Sequence, residues 1–104
     1  MENREFAERL SRLRTLKEMS ARELSMNLGK NPSYINRIES GKTYPSMEEF
    51  FRICEALEVT PSRFFEVKEE DPYRYDLLLT SYDKMSRAKK SFLIEIAKGI
   101  VRLS

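Results

Sequence analysis

The sequence predicts an all-α protein, a bundle of five short helices followed by a helical arm of one or two more. Three observations predict it. Apolar residues recur at three- and four-residue spacing with no alternating strand pattern, glycine and proline are few (three and four) and punctuate the periodic segments, and a serine, threonine or asparagine stands as a cap before several of them. A chain of 104 residues has room for one domain and an added element, since domains take roughly 150 residues each.

Phe6, Leu10, Leu13 and, less regularly, Leu16 make the apolar stripe of helix one, expected over about residues 3–17, with Glu5, Glu8, Arg9, Arg12 and Lys17 on its other faces. Ser20-Ala21-Arg22-Glu23 reads as a capping box: the serine hydroxyl accepts from the amide three residues on, and Glu23 returns to the serine amide. Helix two therefore starts at Ala21, turns Leu24 and Leu28 inward and stops at Gly29, which takes the left-handed conformation without a Cβ clash. Asn31 as cap and Pro32 at the first helical position open helix three, expected over about 32–40, with Ile35 and Ile38 inward and Gly41 closing it. A second capping box from Ser46 to Glu49 opens helix four, whose stripe is Met47, Phe50, Ile53, Cys54 and Leu57. Thr60-Pro61 starts a short fifth helix in which Phe64 and Phe65 plug the bundle, and the first domain, 1–67, ends at Val67.

Residues 68–72, Lys68-Glu69-Glu70-Asp71-Pro72, lack an apolar anchor and end in proline, so they read as an acidic linker. The arm, 73–104, is expected to hold one helix over about 73–83, marked by Tyr75, Leu78, Leu79 and Tyr82, and another over about 86–103. In the second, Phe92, Leu93, Ile96, Ala97, Ile100 and Val101 form a band too wide for a simple surface helix, so something must cover it. Leu78, Leu79, Phe92, Leu93, Ile96, Ile100 and Val101 are assigned to a subunit interface, the alternative being that they fold back on helices four and five of the same chain.

Charge and composition narrow the function. A lone Cys54 forms no internal disulfide, and the absence of histidine removes the usual zinc sites, His-based triads and the commonest general base, so neither an enzyme nor a cofactor is expected. Met1 to Leu10 carries charges where a secretory signal would be apolar, and no run of roughly 18 apolar residues exists, so the expected location is the cytoplasm with no membrane partner. Net charge is +2, but residues 1–45 hold nine Lys/Arg against six Asp/Glu, 46–72 hold three against eight, and 73–104 hold seven against three. A basic front and an acidic middle point to one face for an anionic partner and others for protein contacts.

Two short helices joined by a tight glycine-containing turn, the second opening with a cap, make the geometry that inserts a helix into the DNA major groove. Its anion contacts are expected from the amino end of helix two at Ala21, where free amides meet a phosphate, and from Arg22, Lys30, Asn31, Tyr34, Lys42, Thr43 and Tyr44. Read in order, Phe6, Leu10, Leu13-Arg14, Ser20 to Ser25, Leu28-Gly29, Ser33 to Gly41, Pro45-Ser46, Phe50, Ile53, Leu57, Val59 and Phe64 resemble the lambda-repressor/Cro-like (XRE) helix-turn-helix family over about residues 3–66.

The resemblance implies a sequence-specific transcriptional regulator, a repressor, that binds double-stranded DNA as a homodimer at a pseudo-palindromic operator. It implies that Ser33, Asn36 and Arg37 read base edges and that Arg14 pairs with Glu39 to hold helix three at a fixed tilt. An Arg–carboxylate fork suits that task, and asparagine can bond adenine N6 and N7 together. Two residues depart from the family: Ala21 stands where a glutamine is common, and Pro32 where some relatives present a further base-reading side chain, so base discrimination is expected to be modest. These departures leave an alternative, a protein-interaction module such as an antitoxin or a regulator antagonist, whose arm grips a protein or peptide partner and whose DNA binding is secondary or lost.

Overall fold

The computed structural model describes residues 1–66, 68 and 70–103. Seven helices follow one another among them: α1 (Asn3–Leu16), α2 (Ala21–Asn27), α3 (Tyr34–Glu39), α4 (Met47–Ala56), α5 (Pro61–Phe65), α6 (Pro72–Asp83) and α7 (Arg87–Leu103). The fold is all-α, with no strand among the described residues. Two compact units divide the chain between Pro72 and Tyr73. The expected domain end at Val67 and the linker's Glu69 lie outside the described residues.

Local side-chain chemistry sets the helix starts of the first unit. Ser20 accepts from the Glu23 amide at 3.0 Å while Glu23 accepts from the Ser20 amide at 3.3 Å. Ser46 and Glu49 repeat the exchange at 3.1 Å each way, and Thr60 accepts from Arg63, with Pro61 in the first turn where its missing amide costs nothing. Gly29 and Gly41 close their helices at φ +70 and +79. Glu18 and Glu58, at φ 56 and 55, do the same after α1 and α4 without glycine's freedom.

α1 packs on α2, α3 and α5, α2 packs on α3 and α4, and α4 on α5. Leu10, Leu13, Leu24, Ile35, Ile53 and Leu57 are fully buried between them. Phe64 seals the base of the unit, its ring 5.0 Å from Phe6 and 5.1 Å from Phe50. Cys54 is buried as a small hydrophobe, and burial pushes its thiol up to about 11.

Five expectations need correction. Arg9, assigned to an outer face of helix one, is only 5% exposed. Its guanidinium donates to the carbonyls of Phe64 (2.7 Å), Arg63 (2.8 Å) and Glu66 (3.1 Å) at the C-terminal end of α5, where the carbonyls attract a cation; the Arg63 carbonyl also accepts from the Glu66 amide at 3.2 Å. Phe65, expected to plug the bundle, is 49% exposed because the short α5 has one inward position and Phe64 takes it, and Met47, placed on the stripe of helix four, is 68% exposed at the first position of α4. Helix three begins at Tyr34 instead of 32, because Asn31 folds the preceding residues into a turn. Pro72, assigned to the linker, is the buried first residue of α6.

The arm unit holds two helices, and apart from Pro72 no residue of either is buried. Lys90 stands over the Tyr82 ring at 5.2 Å.

Candidate nucleic-acid interface

The interface is built on the angle between α2 and α3. Ile35 and Ile38 are buried while Asn36 and Arg37, between them on the helix, are exposed, so α3 has an inner apolar and an outer polar edge. Three contacts fix it. Ser25, completely buried on α2, donates its hydroxyl proton to the Ala21 carbonyl at 2.8 Å and accepts from the Ile35 amide at 3.0 Å. That amide lies in the first turn of α3, where no helical acceptor exists. Arg14 forks onto Glu39, Nε to Oε2 and a second nitrogen to Oε1 at 2.8 Å each, and its remaining arm donates to the Met19 carbonyl at 2.8 Å. The planar fork holds the C-terminal end of α3 against α1, and the hydrogen bond to Glu39 raises the Arg14 pKa above its ordinary value.

A third set of contacts joins the turn to α4. Arg52 donates to the Leu28 carbonyl at 2.9 Å, and Lys30 pairs with Glu49 at 2.6 Å while lying 5.5 Å from the Tyr34 ring centre. Lys30, followed by the backbone amide of Ser46, holds the Glu49 carboxyl down at about 2. Burial, with the Glu49 charge acting in the same direction, pushes the Tyr34 hydroxyl above its usual value. That hydroxyl is buried beside Glu49 without a hydrogen bond of good geometry among the described residues.

Of the residues expected at bases, Asn36 and Arg37 project from α3 with exposed side chains, and Ser33 stands at its N-cap, also exposed. The Ser33 hydroxyl and amide both donate to Asn31 Oδ1, at 2.8 and 2.9 Å. Of those expected at phosphates, Arg22, Asn31, Lys42 and Thr43 are exposed, and Ala21 is buried with its amide at the amino end of α2. Several are otherwise engaged: Lys30 pairs with Glu49, Tyr34 has its hydroxyl buried, Tyr44 donates its hydroxyl to the Met1 carbonyl at 2.9 Å and Thr43 donates its own to the Tyr44 carbonyl at 3.2 Å. Sequence reasoning missed the bracing roles of Ser25 and Arg52, and the pairing of Glu49 with Lys30 beyond its capping box. A polar residue four positions after Ala21 on the inner face of α2 is the one signal that marked Ser25.

No described helix is long and apolar enough to cross a membrane, and no described group of Cys, Asp and Glu could hold a metal ion. Two short helices at a fixed angle, the second with a buried inner and an exposed polar outer edge, define a helix-turn-helix protein. A family model described as helix-turn-helix matches residues 10–64, more than half of the chain, and the chain belongs to that family, in its lambda-repressor-like (XRE) form. Its members are DNA-binding transcription regulators, and this chain is one of them. No curated protein and no solved structure matches it significantly.

Proposed function

We propose that the protein is a repressor that binds as a symmetric homodimer to a pseudo-palindromic operator, with half-sites about one helical turn, roughly 34 Å, apart. The observation that supports it is the outer edge of α3, with the side chains of Asn36 and Arg37 exposed, on a helix held at both ends by Ser25 and the Arg14–Glu39 fork. Asn36 reads adenine, Ser33 and Arg37 contact neighbouring bases, and Arg22, Asn31, Lys42, Thr43 and the amide end of α2 at Ala21 hold phosphates. Lys30, Tyr34 and Tyr44 contribute less, since each already has a protein-side role.

One helix-turn-helix offers few base contacts, so a second copy multiplies affinity. Leu78, Leu79, Phe92, Leu93, Ile96, Ile100 and Val101 of the arm supply that pairing. The test is binding to DNA from the gene's own upstream region across a salt series. Log affinity should fall linearly with log salt, at about −0.9 per phosphate neutralised. No complex at low salt would reject DNA binding and leave the arm's protein-partner reading.

A further inference from the structure

We infer that the homodimer is closed by an antiparallel pair of α7 helices, each laid against α7 of a second copy. The inference rests on the dimeric reading above and adds the direction in which the two helices run. α7 carries no buried residue, and Phe92 and Ile100 are 68% and 61% exposed. Positions 89, 92, 96, 100 and 103 follow three- and four-residue steps and so share one face. From Phe92 to Leu103 that face is apolar, but at its start stands the exposed Lys89. Leu93, Ala97 and Val101 widen the apolar band on one side, Ile94 lies at its far edge, and Ser91, Glu95, Lys98 and Arg102 form the polar face.

A two-fold contact joins a patch to itself, so the patch must complement its own copy. In a parallel pair, with axes about 8–10 Å apart, each Lys89 meets its twin within one Debye length. Run antiparallel with the 92–103 stretches overlaid, the two Lys89 lie about 25 Å apart along the axis at 1.5 Å per residue. At that distance salt screens them. The crossing then falls near Ile96 and Ala97, where alanine lets the helices approach closely. Charge on the contact face thus selects one direction.

Full-length chains carrying Cys54→Ala or Cys54→Val, with a spin label at Arg87→Cys or Lys98→Cys, test this by light scattering and pulsed dipolar spectroscopy. Both labelled positions are exposed and on the polar side, and chains are compared at wild-type helical circular dichroism. The antiparallel order gives a dimer whose Arg87 pair is longer than its Lys98 pair by about 10 Å or more, from the axial offset of 1.5 Å per residue. Equal distances in a dimer overturn the antiparallel order alone. A monomer at tens of micromolar without dipolar coupling overturns the dimeric reading itself.

Discussion

Replacing Ser25 with alanine removes one oxygen and tests whether the recognition helix is held as described. The hydroxyl makes two hydrogen bonds, but they are unequal in cost. The Ala21 carbonyl keeps the bond that an α-helix supplies, whereas the Ile35 amide, on a fully buried residue, is left with no acceptor. An unsatisfied buried donor costs about 1–3 kcal/mol. Alanine's better helix propensity returns up to about 0.5 kcal/mol, and the net loss expected is about 0.5–2.5 kcal/mol. Against a total of about 5–15 kcal/mol and a urea slope of about 1–3 kcal/mol per molar, the unfolding midpoint falls by roughly 1 M. Ser33→Ala is the control: its hydroxyl bonds Asn31 at an exposed site, and its removal costs under about 0.5 kcal/mol. Urea unfolding followed by circular dichroism gives both values, and amide exchange at Ile35 reports the local loss. A Ser25→Ala midpoint within error of the wild type, with Ile35 exchange unchanged, would refute the reasoning.

Arg9→Met removes the side-chain donor from the carbonyls of Phe64 and Glu66, and one of the two donors from that of Arg63, and should cost about 2–3 kcal/mol in the same assay, with Arg9→Lys recovering only part because an ammonium lacks the fork. The Glu49 carboxyl titrates near 2 in the folded state, below the usual carboxylate range, so its contribution is full above about pH 4.5 and is lost as pH falls toward 2. Acid unfolding of Glu49→Gln should therefore show a flatter profile over that window, and an unchanged one would deny the Lys30 pairing its role. On DNA, Asn36→Ala should cost about 1–3 kcal/mol on the operator and relax one base position, whereas Lys42→Ala should weaken specific and random sequences alike. Competition binding with point-substituted operators separates the two, and equal losses from both changes on all sequences would contradict that division.

What could be read from the sequence was what local chemistry controls. Ser20–Glu23, Ser46–Glu49 and Thr60-Pro61 act within four residues of themselves, so their pattern is their structure. Asn31 is the instructive exception: the same residue types allow a helix cap or a turn closed on Ser33, and the turn moves the start of α3 by two residues. Arg9 could not be read at all. Amphipathic reasoning sends every cation outward, and the carbonyls that hold this one inward lie 54 to 57 residues away. Ser25 looks like a small filler until the amide of Ile35, ten residues on, is brought to it.

The Arg9 clasp also bears on how this protein can be cut. The family match spans 10–64, yet the guanidinium lies one residue before it and one of its acceptors, Glu66, two residues after. A fragment trimmed to the matched segment would discard the side chain that ties its two ends together. An excised DNA-binding piece worth expressing therefore starts ahead of residue 9 and runs past residue 66.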